Sequence, residues 1–316
     1  MPKEYPLLRV EDLTKTYRGI VKYPWQKAQP FVAVNSASFD LRKGETLGLI
    51  GESGCGKTTL AQMIAKLIKP NSGQAFLNGQ SYLDLDAYDF RFLRPRIQMV
   101  FQDPQQVLNP SLQIGQILEE PLIGFKLIGN AKKRREYIET RLKDVGLAAD
   151  ILERYPHQLS GGQRQRVAIL GALLPEPSLL IADEVVSALD LSVQAQILNL
   201  LTDLKEQHDL SLLFISHDIH VISWLSDRIM VMYRGHIVEE AETADLILRP
   251  LHPYTQKLLT AANFTEKEIA DKDSDKISPA CPYAFQCPYA AELCREVKPQ
   301  LKTLDRGHRV ACHLFE

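Results

Sequence analysis

The chain has 316 residues, with 37 Lys plus Arg against 39 Asp plus Glu and a formal net charge of -2. Its 45% hydrophobic and 24% charged residues are ordinary for a globular protein and exclude a disordered, collagen-like or repeat-dominated chain. Balanced charge argues against nucleic acid as a partner, and no apolar run reaches the roughly 20 residues that span a bilayer.

The opening MPKEYPLLRVEDL lacks the apolar stretch of a signal peptide, so a cytosolic location is expected. Leu7 to Tyr17 alternates like an edge strand, and Phe31 to Leu41 repeats the pattern after a Pro-containing insert that carries Tyr23 and Trp25. A small antiparallel β layer is expected there. Thr46 to Ile50 reads as a short buried strand that stops at Gly51, and the following helix places Leu60, Ile64, Leu67 and Ile68 on one face. Residues 86–159 read as a helical insertion, with Ile138, Leu142 and Val145 at amphipathic spacing and Lys132, Lys133, Arg134 and Arg135 on a solvated face. SLLIAD and LSLLFISHD read as buried strands, and RIMVMYRGHIV as a hairpin turning at Arg234 and Gly235. Strands alternating with helices imply an α/β core with a parallel sheet.

Eight of the twelve residues in TEKEIADKDSDK are charged, which marks a linker. The expected organisation is a main domain over 1–264, a linker over 265–276 and a cysteine-rich extension over 277–316. Of the five cysteines, Cys281, Cys287, Cys294 and Cys312 all fall in that extension, and Cys55 lies in a glycine-rich loop.

That loop carries the first chemistry. Residues 51–58, GESGCGKT, match the phosphate-loop pattern, with a strand before and a helix after. Gly51, Gly54 and Gly56 let backbone amides converge on phosphate oxygens, and the helix start aims its positive dipole end at the same place. Lys57 is expected to reach the β and γ phosphates and Thr58 to ligate Mg²⁺, with Ser53 and Thr59 as further nucleotide contacts. In LLIADE an apolar strand delivers Asp183 and Glu184 at its carboxyl end, where open parallel sheets bind ligands. Asp183 suits Mg²⁺, and Glu184 suits a general base that polarises the attacking water.

LSGGQRQR, residues 159–166, resembles the signature motif of ATP-binding cassette (ABC) ATPases. Ser160, Gly161, Gly162 and Gln163 would offer a hydroxyl and amides to a γ-phosphate. The resemblance implies that they meet ATP held by the phosphate loop of another subunit. It extends over nearly all of residues 7–262. By it, Tyr17 stacks on adenine, Gln102 senses Mg²⁺ and the attacking water, SALD at 187–190 communicates across the dimer, and His217 contacts the γ-phosphate. The implied fold is an α/β ABC nucleotide-binding domain with a mixed sheet core, an antiparallel β layer and a helical insertion.

FQDP followed by LNP, QILEEPL, YPHQLSGGQRQRVAI, DEVVSALD, HPYTQKLL and the closing CPYAFQCPYAAELC further resemble the dipeptide and oligopeptide permease branch. Val185 stands where that family usually has Pro, and Leu170 with Gly171 where it usually has Ala and Arg. The resemblance implies an ATPase subunit on the cytoplasmic face of the inner or plasma membrane. Its partners would be two transmembrane permease subunits, a second ABC ATPase, identical or related, and indirectly an extracytoplasmic substrate-binding protein. The rival readings are a soluble cassette ATPase acting on nucleic acid or ribosomes, and a regulatory module that binds ATP without turnover.

The tail spacing is C-x5-C-x6-C-x17-C, and four thiolates suit zinc or a [4Fe–4S] cluster. The peptide-importer resemblance implies the iron–sulfur cluster. His308 and His313 rank behind the thiols as secondary ligands, with packing or surface roles preferred.

Overall fold

Ten residues of partly alternating burial, Leu8–Tyr17, form β1, which pairs antiparallel with β2 (Phe31–Leu41) on one side and β4 (Ser72–Leu77) on the other. The computed structural model describes residues 6–19, 30–187, 189–263 and 280–315. With β5 (Gln80–Ser81) these strands make a four-stranded sheet in the order β2-β1-β4-β5. The expected antiparallel layer is present, but β1 lies inside it rather than at its edge. The reason is that residues 72–77 return to cover the free side of β1, a pairing at a separation that alternation does not reveal.

Among the described residues the main sheet has eight strands. It is built from β3 (Thr46–Ile50), β6 (Ile97–Val100), β7 (Leu179–Asp183), β8 (Ser211–Ser216), β9 (Arg228–Tyr233), β10 (His236–Glu242), β11 (Lys302–Thr303) and β12 (Arg309–Val310). The order is β11-β12-β10-β9-β3-β8-β7-β6. β9, β3, β8, β7 and β6 run parallel to one another, whereas β10, β12 and β11 add antiparallel, so the sheet is mixed. Every residue of β3, β7 and β8 is buried, as expected for strands covered on both faces. The hairpin of β9 and β10 turns at Arg234 (φ 45°) and Gly235 (φ 83°), the positive pair that a tight two-residue turn requires.

One face of this sheet packs with the antiparallel layer and helix α1 (Lys57–Ile64), through Leu47, Leu49, Leu60, Ile64 and Ile181. Helix α1 ends at Ile64, with Lys66 at φ 53°; Leu67 lies beyond it and is exposed, so the expected four-residue face is shorter than the sequence suggested. The helices that follow are α2 (Ala87–Phe90), α3 (Pro104–Val107), α4 (Ile114–Gly124), α5 (Ala131–Arg141), α6 (Gly161–Leu173), α7 (Leu191–His208) and α8 (Ile219–Leu225). Parts of α4 to α8 pack the other face of the sheet. After β10 come α9 (Thr243–Leu248), α10 (Pro253–Asn263) and α11 (Leu293–Glu296).

The insertion over 86–159 is helical as expected in α4 and α5, but it also contains β6, which joins the main sheet beside β7. Ile138, Leu142 and Val145 are buried. The basic run divides: Lys132 and Lys133 are exposed, while Arg134 bonds Glu119 at 2.9 Å and Arg135 bonds Glu139 at 2.7 Å and Glu153 at 2.9 Å. Those two arginines tie the insertion together instead of forming a solvated face. The linker at 265–276 and the insert with Tyr23 and Trp25 lie outside the described residues.

Candidate active site

Strand register places the reactive side chains. Ile50 of β3 pairs with Ser216 of β8, and Asp183 of β7 pairs with Ile215, so Gly51, Glu184 and His217 leave neighbouring parallel strands at one end. The loop after β3 closes at Gly56, which caps α1 at φ 112°. A Cβ there would stand 2.1 Å from the Ala33 carbonyl oxygen, so the close turn demands glycine. Lys57 is 5% exposed, and its ammonium donates to the carbonyls of Gly51 at 2.7 Å and Glu52 at 3.0 Å. Burial raises the pKa of the Cys55 thiol, which suits a small packed residue rather than a reactive one.

A pocket of about 230 Å³ opens over this loop, lined by Tyr17, Phe31, Ala33, Ser53, Gly54, Gly56, Lys57, Thr58, Thr59, Gln102 and Glu184. Tyr17 and Phe31 are cross-strand partners and both are exposed, which presents two rings at its mouth. Lys15 stands 5.3 Å from the Tyr17 ring centroid. Phe31 and Ala33 were not singled out from sequence. The available signal was that Phe31 opens the strand that pairs with the one ending at Tyr17.

Asp183 is 3% exposed, and its carboxyl pKa is raised, first by burial and then by the charge of Glu184. A hydrogen bond with the Thr58 side chain and the charge of Lys57 pull the other way. Its Oδ1 is buried with no hydrogen-bond partner. An orphaned carboxylate oxygen beside a threonine hydroxyl is a hard oxygen donor set that fits Mg²⁺. Glu184 adopts φ 49°, a left-handed conformation that costs about 1 kcal/mol for a residue with a side chain. Three bonds hold it: its N–H donates to Ile215 O at 3.0 Å, and its carbonyl accepts from Ser187 N at 3.2 Å and Ser187 Oγ at 2.9 Å. His217 Nδ1 lies 3.4 Å from Glu184 Oε1. Gln102 is exposed just before α3, whose first turn is capped by Asp103 accepting from Gln105 N at 2.8 Å.

The signature segment is shaped locally as expected. Ser160 caps α6, its Oγ accepting from Gln163 N at 3.2 Å while Gln163 Oε1 accepts from Ser160 N at 3.0 Å. However, Ser160, Gly161, Gly162 and Gln163 are not among the residues lining the pocket. The chain thus brings together the phosphate loop, the acidic pair, Gln102 and His217, and the signature helix start does not line the pocket they form.

In the tail, Cys281, Cys287, Cys294 and Cys312 lie within electrostatic reach of one another, and burial is the main cause that raises the Cys281 thiol to about 11. Even so, among the described residues no group of three or more His, Cys, Asp or Glu is placed to hold a metal ion. The donors suit a soft metal, but their placement is not a closed ligand set for either iron–sulfur or zinc. His308 instead donates from Nε2 to the buried Glu239 at 2.7 Å, and His313 Nε2 to the Val297 carbonyl at 2.9 Å.

These features have counterparts in known proteins. Residues 34–187 match the ABC transporter family, and residues 238–294 match the oligopeptide/dipeptide transporter C-terminal region. The chain is 43% identical to the probable peptide ABC transporter ATP-binding protein y4tS of Sinorhizobium fredii (strain NBRC 101917 / NGR234), over 98% of this chain and 90% of that protein. It is 42% identical to the dipeptide transport ATP-binding protein DppF of Haemophilus influenzae, over 97% and 96%. The dimeric, post-hydrolysis structure of the ATP-binding cassette MJ0796 with ADP and Pi superposes with a TM-score of 0.66 at 30% identity, over 75% of this chain and 98% of that one. The chain belongs to the ABC ATPase family, in the branch that carries the oligopeptide/dipeptide transporter C-terminal region.

Proposed function

We propose that this chain is the ATP-hydrolysing subunit of a membrane importer for dipeptides or oligopeptides, driven by ATP-dependent closure of a cassette dimer. The observation that carries the reading is the division of the site. One end of the main sheet collects the phosphate loop, Asp183, Glu184 and His217, while the signature helix start is not among the residues that line their pocket, which supports a role for it at a second subunit's nucleotide.

In this mechanism Lys57, Thr58, Thr59, Ser53 and the loop amides hold the phosphates, and Tyr17, with Phe31 beside it, receives the adenine. Thr58, Asp183 and Gln102 would hold Mg²⁺, which supplies charge neutralisation at the phosphates. Glu184 takes a proton as water oxygen bonds to the γ-phosphorus and the bond to the ADP oxygen breaks. His217, in reach of Glu184, meets the γ-phosphate. Ser160, Gly161, Gly162 and Gln163 of one subunit complete the site of the other.

The proposed partners are two permease subunits, a second cassette ATPase, identical or related, and through them an extracytoplasmic binding protein. The chain would then sit peripherally at the cytoplasmic membrane face. Among the described residues no helix is long and apolar enough to cross a membrane, which is consistent with that arrangement. The relatives' peptide-transport names support this substrate class over nucleic acid or ribosomes. Lys57, Asp183, Glu184 and His217 together count against binding without turnover. Co-purification from solubilised membranes is expected to recover two multi-span subunits and a second cassette, with ATPase stimulated by peptide-loaded binding protein. Soluble partners or nucleic acid instead would overturn the importer reading.

For the tail, the peptide-importer resemblance implies an iron–sulfur cluster, and holding one would require Cys281, Cys287, Cys294 and Cys312 to leave the placement described above. Anaerobically purified protein is expected to contain near-stoichiometric iron, and neither iron nor zinc would overturn it.

A further inference from the structure

The C-terminal region reaches the phosphate loop from behind. Glu239 of β10, fully buried, accepts from Leu251 N at 2.7 Å and His252 N at 3.0 Å, and from His308 of the tail at 2.7 Å. His252 Nδ1 in turn accepts from Tyr254 N at 3.1 Å, which leaves the ring proton on Nε2. Burial holds that imidazole neutral, its pKa lowered to about 4. The Tyr254 hydroxyl then accepts from Glu52 N at 3.1 Å, inside the phosphate loop.

The Tyr254 ring is itself clamped. It lies 4.4 Å from Tyr233 and 5.6 Å from Tyr283, centroid to centroid, and the Tyr233 hydroxyl donates to Gln286 Oε1 at 3.1 Å. Tyr283 and Gln286 belong to the cysteine-bearing tail. Rigid, interlocked rings of this kind define one side-chain position.

The Gly51–Glu52 segment therefore has three restraints. Lys57 holds its carbonyls from the front, and Tyr254 holds the Glu52 amide from the back. The third is the Cys55 N–H, which donates to the Glu52 carbonyl at 3.3 Å. A lysine that turns to phosphate frees the Gly51 carbonyl, and the segment is then held by the Cys55 N–H on the Glu52 carbonyl and by Tyr254 on the Glu52 amide, the one hold that comes from the C-terminal region. We infer that Tyr254 is a positioning residue for the phosphate loop, and that the cysteine-bearing tail sets ATP affinity through it.

Tyr254→Phe keeps the ring and removes the hydrogen bond. In the full-length protein it raises the ATP KM about three- to tenfold, the range of one net hydrogen bond, while kcat changes less. It also makes the Glu52 amide exchange faster with deuterium. A KM within twofold of wild type, or a fall in kcat alone, overturns the inference. Tyr283→Leu shifts KM in the same direction, and the Tyr254→Phe, Tyr283→Leu double variant is no worse than Tyr254→Phe, because both act on one contact. Multiplying effects would overturn the tail's part. Where Tyr283→Leu fails to fold, Gln286→Ala supplies the same comparison. Wild-type protein that binds no ATP would sink the nucleotide-site reading itself, a result distinct from normal binding left unmoved by Tyr254→Phe.

Discussion

His217 Nδ1 stands 3.4 Å from Oε1 of Glu184, a contact made by two residues that leave adjacent parallel strands. In the proposed mechanism Glu184 receives the proton and His217, in reach of it, meets the γ-phosphate. Glu184→Gln keeps the shape and removes the base, so kcat is expected to fall by about 100-fold or more with ATP binding retained. Steady-state ATPase assays with parallel ATP titration check this, and an unchanged kcat refutes the base assignment. His217→Ala is expected to lower kcat as well, with less effect on binding.

Asp183 tests the metal side of the site through stability. Its native pKa is raised by burial, so the proton is bound more tightly by the folded chain than by the unfolded one. Stability from this group is present at low pH and is lost as pH rises through the raised value. Ionised Asp183 thus weakens the fold at neutral pH, and Asp183→Asn should melt at a higher temperature than wild type at pH 7. The gap should close on acidification. The same variant should lose the extra stabilisation that MgATP confers, and thermal melts across pH with and without MgATP read both effects. A variant less stable than wild type at pH 7 contradicts the argument.

The signature helix start depends on close packing. A Cβ at Gly162 would stand 2.7 Å from Val193 Cγ1, and a β-branched helical side chain has little freedom to yield. Gly162→Ala is expected to cost about 1–3 kcal/mol, read as a lower Tm and weaker ATP-dependent dimerisation. Val193→Ala should restore much of the loss in the double variant, which a thermodynamic cycle measures.

Gly171 presents the opposite case. It lies inside α6, and a Cβ there would meet Leu118 Cδ2 at 3.7 Å, an ordinary contact. Gly171→Ala is expected to stabilise the protein by about 0.5–1 kcal/mol, or roughly 2 °C in Tm, with ATPase activity unchanged. Differential scanning calorimetry decides it. A lower Tm would mean that the added methyl group strains the packing of α6 against Leu118.

The local parts of the site were legible in sequence because their chemistry is local. A phosphate loop makes its cradle from consecutive amides and one helix start, and Ser160 caps α6 with a partner three residues away. The same holds for buried strands such as Thr46–Ile50 and for the turn at Arg234 and Gly235, where the residue types dictate the backbone. Long-range pairing was less visible. β6 looked like part of a helical insertion because four residues hold too few turns of pattern to declare a strand, and it exists as one by pairing with β7.

By itself, the sequence determined which residues are proposed for the nucleotide chemistry: Lys57, Thr58, Asp183 and Glu184 fall in motifs whose spacing fits phosphate and Mg²⁺. Tertiary structure alone decided that Phe31 stands beside Tyr17, that Arg134 and Arg135 serve ion pairs, and that Tyr254 holds Glu52, 202 residues away. The physical reason is one of range. Backbone geometry and short spacing act within a few residues and are written in order, whereas burial and hydrogen bonding act on whatever the fold places within about 3 Å.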